Sequence, residues 1–516
     1  VKTRKKFSHK ILKRLTANFL IFLAALIVIL VNYKNKTFGN ISVDSLFFYL
    51  LSGQDGANLG TFFKSVMENV LPFLAVFGIL LIPTIDFYRD RILVDIDFTT
   101  KKKTYKFQIN PTKEKQRHLL LYGIIVFIAA SAYGLNSLDM YDYVMAKTTS
   151  SNFFEENYVD PSKAKITFPD KKRNLIYIYL ESTETTILSS KNGGSSATSL
   201  SPELENLALN NISFSNTLSL GGALPVYGTT WTVAGMVAQS AGIPIATEFA
   251  GNELGNYFTN FLPGAHSLGE VLEKEGYSQE IMFGSDASFA GRDKYFTQHG
   301  NYKIFDYYTA IKDGKIPSDY HTWWGYEDNK LIDYAKEEIT KLSDSSQPFN
   351  FQMLTADTHF VDGYLDPTCA TEFDSQYKNV FACASKRIGD FVDWIKQQDF
   401  YNNTTIVISG DHLGMQTDFY DDLIGDTSSY QRAIYNTIIN AAIAPVKEKQ
   451  RRFTTLDFYP TTLASIGAKI NGDSLGLGVN LFSDKQTLVE KYGLEYMNTE
   501  LQKKSSYYSN NILYSK

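Results

Sequence analysis

Cysteine is scarce: Cys369 and Cys383 are the only two in 516 residues. That leaves room for one small-loop disulfide in an oxidising compartment, or for two buried thiols. Basic excess is missing as well. A formal net charge of −5 and an isoelectric point near 5.9 give no polyanion-binding signature, so nucleic acid is not an expected partner. The chain has no internal repeat and no extended low-complexity tract; Ser182 to Ser201 is a Ser/Thr/Gly-rich loop. Aromatic residues, in contrast, reach 14%, which suits a lipid interface or a sugar ligand and equally an aromatic-rich core.

Apolar runs are present and long. Lys2, Arg4, Lys5, Lys6, Lys10, Lys13 and Arg14 precede an uncharged run from Leu15 to Val31, long enough to span a bilayer. With no small-residue cleavage pattern after it, the run is expected to be a retained helix. Further spans are expected at about 70–87 and 119–135. The segment between these two carries Arg89, Arg91, Lys101, Lys102, Lys103, Lys106, Lys113, Lys115 and Arg117. The positive-inside rule puts the N-terminus and this loop in the cytoplasm and everything after Asn136 outside. Val43 to Leu51 is too short to cross and reads as an interfacial helix. An outer location favours pairing of Cys369 with Cys383. The expected domains are an anchor (1–136), a linker (137–170), an outer catalytic domain (171–482) and a C-terminal tail (483–516).

The outer domain alternates strand-like and helix-like segments, which points to an α/β fold with a mostly parallel sheet and helices on both faces. Its clearest strand is NLIYIYLE, from Asn174, a β-branched and aromatic run that ends abruptly in Glu181. Ligands gather at the C-terminal edge of such a sheet. Ser182 and Thr183 are expected to stabilise the turn there, and Glu184 to be solvated.

Three other stretches carry chemistry. In YGTTWTVAGMVAQS, Thr229 follows a glycine before a helix, where a hydroxyl sits near free N–H groups that could dock phosphate; a plain N-cap is the alternative. Thr230 is the adjacent choice. In SGDHLGM, Asp411 and His412 leave a strand together and can reach one cation. In LTADTHFVDGY, His359 follows another strand, and Arg292 in SFAGRD and His299 in QHG are weaker candidates. Glu181, Thr229, Asp411 and His412 all fall at strand ends or helix starts, so they can converge. Two carboxylates, an imidazole and a hydroxyl describe one divalent metal beside an activated nucleophile.

The ordered motifs, from the strand ending in Glu181 through SPELENLALNNISFSNTLS, GTTWTVAGM, SFAGRDKYFTQHG, LTADTHFVDGY and SGDHLGM to TTLDFYPTTLASIGAKI, resemble the phosphoglycerol transferase and lipoteichoic acid synthase family. That family is the sulfatase-like branch of the alkaline phosphatase superfamily, and the likeness covers about residues 174–482. It implies an N-terminal membrane anchor followed by an α/β/α sandwich. It implies Glu181, Asp411 and His412 as ligands of one divalent ion, Mn²⁺ ahead of Mg²⁺ or Zn²⁺, with Thr229 in the same shell as the residue that is glycerophosphorylated. Arg292, His359 and Asp286 would hold the headgroup, His359 donating the proton, and Cys369 would pair with Cys383.

The implied reaction moves glycerophosphate from phosphatidylglycerol to an extracytoplasmic glycan or glycerophosphate polymer and releases diacylglycerol. The implied place is the bacterial plasma membrane, in a multi-pass protein with its catalytic domain on the periplasmic or extracellular side. Ala290 departs from the family pattern, which has tryptophan there. The alternatives are a phosphoethanolamine transferase of the same superfamily and, from another class, an inactive glycan- or lipid-binding membrane receptor. A sulfatase needs Cys or Ser in a C/S-x-P-x-R context, and TTWTV has neither the proline nor the arginine.

Overall fold

The computed structural model describes residues 2–38, 43, 59–84, 86–88, 94–100, 103–108, 113–246, 259–425 and 429–515. The chain divides into two compact units, one built from Val1–Ile41 and Leu59–Asp142 and a second containing Tyr143–Lys516.

Three helices make most of the first unit: Lys2–Phe38, Leu59–Leu81 and Lys113–Ser137. Each contains a stretch long and apolar enough to cross a membrane, at Leu12–Lys36, Val66–Thr84 and His118–Ser137. The second was expected to reach Phe87. It stops at Leu81, followed by a 3₁₀ turn over Ile82–Thr84, because Pro83 has no N–H for the helical ladder and biases the residue before it towards extended backbone. Between the second and third helices, Asp86–Tyr88, Val94–Thr100 and Lys103–Gln108 form a small antiparallel sheet. The interfacial helix expected at Val43 to Leu51, apart from Val43 itself, lies outside the described residues, as do Arg89, Arg91, Lys101 and Lys102.

The second unit is organised on a six-stranded sheet. Numbered along the chain within it, the strands are β1 (Asn174–Leu180), β2 (Ser278–Phe283), β3 (Lys303–Phe305), β4 (Phe349–Leu354), β5 (Thr404–Gly410) and β6 (Asn436–Ile439). Their spatial order is β6-β5-β1-β4-β2-β3, parallel throughout except for β6, which runs against β5. Every residue of β1, β4 and β5 is buried, as expected of central strands covered on both faces.

Side-chain alternation along β1 feeds two separate cores. Leu175, Tyr177 and Tyr179 pack with Met236 and Val237 of the helix Thr232–Ala241. Ile176, Ile178 and Leu180 face the opposite layer, with Leu331 of the helix Asp328–Ser343 and Phe391 of the helix Gln376–Lys396. The flanks are more structured than the sequence suggests. Residues 137–170, expected as a linker, include the helices Met140–Thr148 and Phe153–Asn157; residues 483–516, expected as a tail, include Leu488–Tyr492 and Leu494–Gln502. Phe154 meets Tyr508 edge-on at 5.2 Å, and both rings are buried in the first core. Such pairing between distant segments leaves no local periodicity to read.

Candidate active site

Four neighbouring strands end at one edge of the sheet, and each delivers side chains from the residues that follow. In spatial order, β5 leads to Asp411 and His412, β1 to Glu181, β4 to Thr355 and His359, and β2 to Ser285 and Arg292. Main-chain contacts fix this edge. Asp411 N–H donates to Leu180 O at 3.1 Å, Ser182 N–H to Asp411 Oδ1 at 2.8 Å, and Glu181 N–H to Thr355 Oγ1 at 3.0 Å. Ser182 takes φ +53° to make the turn and donates its own hydroxyl to Glu181 Oε1 at 2.7 Å; Thr183 donates its hydroxyl to Glu181 O.

Glu181, Asp411 and His412 are all buried and offer ligand atoms within 4.8 Å of one another. His412 Nδ1 lies 2.7 Å from Leu413 O, so the Nδ1–H tautomer donates there and leaves Nε2 as the atom facing the acids. Nε2 is 3.4 Å from Glu181 Oε1 and 3.4 Å from Asp411 Oδ2. Asp411 Oδ2 is itself buried and has no hydrogen-bond partner.

The electrostatics show a charge imbalance. Burial raises the Asp411 pKa well above the carboxylate range, and the Glu181 charge adds to it. Burial also acts to raise the Glu181 pKa, but the His359 and His412 imidazoles and the hydrogen bonds from His412 and Ser182 outweigh it and hold that pKa low. For His412, burial is outweighed by the Asp411 and Glu181 carboxylates, which push it up to about 9. Two carboxylates and an imidazole nitrogen thus converge around a point that needs positive charge. An oxygen–oxygen–nitrogen donor set with an orphaned carboxylate oxygen fits a divalent metal ion.

The hydroxyl at this point is not the expected one. Thr229 is fully buried and turned away: its hydroxyl donates to Val226 O at 2.8 Å and accepts from Val226 N–H at 3.2 Å. Thr230 is half-buried ahead of the helix. Thr232, three residues after Thr229, stands at the triad, with Oγ1 3.3 Å from Glu181 Oε2 and 3.3 Å from His412 Nε2. The displacement has a local cause. Gly228, at φ +74°, turns the chain, Thr229 closes that turn, and the helix begins only after Trp231, whose extended backbone occupies the cap with no capping bond from its side chain to the first turn. Assigning the N-cap to a threonine starts the helix too early. A readable signal was Gly235, which shares a helix face with Thr232 at i+3. A Cβ there would sit 2.1 Å from Asp411 O, so this face lies directly on the end of β5.

A cleft opens beside the triad, with Glu181, Thr232, Ser285, Arg292, Trp324 and His359 among its walls. Arg292 is 4% exposed; it donates to Phe289 O, Ser285 Oγ and Asp286 O and lies over the Phe283 ring, 4.7 Å from its centroid. His359 bonds through Nδ1 to Phe360 O at 2.7 Å and packs on Trp324 with ring centroids 4.7 Å apart. Burial lowers its pKa, against the raising effect of Glu181. Asp286 is not brought into the cleft as a carboxylate: Oδ1 accepts from Ser288 N–H at 2.8 Å, and only its main-chain oxygen reaches Arg292. His299 lies elsewhere, buried against Phe261 O and Glu270.

Glu184 corrects another expectation. It is fully buried rather than solvated, because Arg432 meets it bidentately, with Nε to Oε1 at 2.9 Å, and Gly414 N–H and Thr186 complete its hydrogen bonds. Cys369 and Cys383 are joined, with Cα atoms 5.6 Å apart, tying the segment after His359 to the helix Gln376–Lys396.

With this geometry in place, comparison with known proteins gives the family. The sulfatase family pattern matches residues 173–468, and the chain belongs to that family, the sulfatase-like branch of the alkaline phosphatase superfamily. It is similar to phosphoglycerol transferase I of Escherichia coli (strain 55989 / EAEC), 35% identical over 271 residues, which is 51% of this chain and 33% of that protein. Phosphoglycerol transferase I of Citrobacter koseri is 35% identical over 272 residues, again 51% and 33%. The alignment thus spans about a third of the length of these relatives. Among solved structures, the lipoteichoic acid synthase LtaP from Listeria monocytogenes overlaps with a TM-score of 0.49 at 19% identity, over 64% of this chain and 80% of its own. The lipooligosaccharide phosphoethanolamine transferase EptA from Neisseria meningitidis gives 0.48 at 14%, over 90% and 85%.

Proposed function

We propose that this protein is a membrane-anchored phosphoglycerol transferase, carrying glycerophosphate from phosphatidylglycerol to an extracytoplasmic glycan or glycerophosphate polymer through a covalent phospho-threonine. The observation that carries this reading is the meeting of Thr232 Oγ1 with Glu181 and His412 in a cleft that also holds Arg292 and His359. The 35% identity to proteins named phosphoglycerol transferase I supports the choice of headgroup. In this reading the three apolar helices span the plasma membrane, with the basic N-terminus in the cytoplasm and the second unit outside.

Glu181, Asp411 and His412 would hold one divalent ion, Mn²⁺ in our reading, which would lower the pKa of a neighbouring hydroxyl and neutralise phosphoryl charge. Thr232, rather than Thr229, is the nucleophile: its hydroxyl proton goes to solvent under the lowered pKa, the ionised oxygen bonds to phosphorus as the bond from phosphorus to the diacylglycerol oxygen breaks, and the second displacement returns it to the ionised state. Arg292, held by neutral oxygens on its own loop, compensates charge on the phosphoryl oxygens. His359 handles the proton. Its Nδ1–H is engaged with Phe360 O, which leaves Nε2 for exchange with substrate. Protonated beside the anionic headgroup, it supplies the proton to the departing alkoxide; in the second half it takes a proton from the acceptor hydroxyl, which displaces Thr232 from phosphorus.

The test uses the full-length protein in vesicles with labelled phosphatidylglycerol or phosphatidylethanolamine, with diacylglycerol release as readout. Wild type should act on phosphatidylglycerol, Thr232→Ala should lose about a thousandfold or more, and Thr229→Ala should keep most of the activity. Equal release by wild type and Thr232→Ala would sink the covalent mechanism. Release from phosphatidylethanolamine alone would replace the headgroup.

A further inference from the structure

Adjacent tryptophans, Trp323 and Trp324, sit on one tight turn with opposite fates. The turn closes on itself, Thr322 N–H donating to Gly325 O and Gly325 N–H to Thr322 O. It is pinned to two strand exits. Tyr326 N–H donates to Gly284 O, just after β2, and Trp323 Nε1–H donates to Ala356 O, just after β4. Trp323 has φ +60°, a left-handed backbone that a bulky residue adopts only under constraint, and a Cβ on Gly325 would lie 2.3 Å from Gly284 O. The turn is therefore a rigid mount between the strand ends that carry Arg292 and His359.

Trp324 is what this mount presents. Its ring forms part of the cleft wall, packed between Phe289 at 5.4 Å and His359 at 4.7 Å. Its Nε1 is buried and has no hydrogen-bond partner. An indole N–H is a donor only, and a buried donor left unpaired is destabilising. The acceptors on the cleft walls, among them Glu181, His359 and the Ser285 and Thr232 hydroxyls, make no hydrogen bond to it, so a ligand in the cleft is the group that can supply one.

We propose that Trp324 is a headgroup-recognition residue, its Nε1–H donating a hydrogen bond to an oxygen of the phosphorylated headgroup in the cleft. This rests on the transferase reading above and deepens it. The acceptor is a hydroxyl or a phosphate oxygen, and the two give different patterns. A site built to satisfy a polar group discriminates strongly against ligands that leave it unmet.

The experiment measures binding of sn-glycerol 1-phosphate, inorganic phosphate and O-phosphoethanolamine to the full chain in Mn²⁺ buffer, for wild type and Trp324→Phe. The variant keeps an aromatic wall and removes the N–H. Loss of about tenfold for glycerol phosphate alone places the bond on a hydroxyl; similar loss for all three ligands places it on phosphate. Unchanged affinity for all three overturns the role, as does a wild type that binds none. A wild type that prefers phosphoethanolamine overturns the phosphoglycerol reading, while Trp324 is still judged by the variant's own loss. Should Trp324→Phe not fold, the ¹⁵N-indole resonance of Trp324 in wild type decides: a shift on adding glycerol phosphate is expected, and none refutes the contact.

Discussion

Glu181 and Glu184 follow the same strand three residues apart, and both are buried. One shares its pocket with a second buried carboxylate, Asp411, so that two acids face His412, and the other is matched by Arg432 within the fold. Burial alone therefore says nothing about role. What separates the two acids here is whether the chain itself supplies enough counter-charge.

The largest contrast is expected at Glu181. Glu181→Gln should reduce diacylglycerol release at least about a thousandfold while leaving the melting temperature of the chelator-treated protein intact, because relief of the repulsion with Asp411 offsets the lost attraction to His359 and His412. Adding Mn²⁺ should raise the melting temperature of wild type and not of this variant. An equal rise in both would break the comparison at its first member.

Glu184→Gln should do the reverse. Leaving the part-buried Arg432 without its carboxylate costs up to about 3–5 kcal/mol, the penalty for a broken buried pair, read as a shift in denaturant midpoint, while turnover per folded molecule survives. Stability within 1 kcal/mol of wild type, by the same rough scale, would mean the pair is structurally idle.

Glu270 gives the smallest effect and an intermediate case. Burial would raise its pKa, but hydrogen bonds from His266, His299 and Ser267 outweigh that and bring it down to about 2, from an ordinary 4.5. A depressed acid contributes stability above its unfolded pKa and loses it as pH falls through the folded one. Wild type should thus lose this contribution between about pH 4.5 and about pH 2. Glu270→Gln should flatten that part of the profile slightly, because the group is part-exposed and solvent screens it. An unchanged acid limb would remove Glu270 from the series.

The sheet and the convergence of Glu181, Asp411 and His412 were legible because strands buried on both faces are continuous apolar runs that stop abruptly at a polar residue, as at Glu181 and Asp411. Thr232 was hidden by a capping rule: threonine is favoured at a helix start, and the cap here is Trp231. Glu184 was misplaced because its partner, Arg432, lies 248 positions away in a stretch with no motif of its own. Trp324 was overlooked for the same reason. Its meaning comes from an unmet donor, which exists only once the chain has folded around it.

Gly235 sets a spacing that no side chain can adjust. Since a single Cβ there would collide with Asp411 O, the spacing between the helix carrying Thr232 and the strand carrying Asp411 is set by two stretches of bare main chain. Such a joint has no adjustable part. The distance from Thr232 to the triad is machined into the backbone, and one added carbon at Gly235 would push Thr232 away from it without altering any of those four side chains.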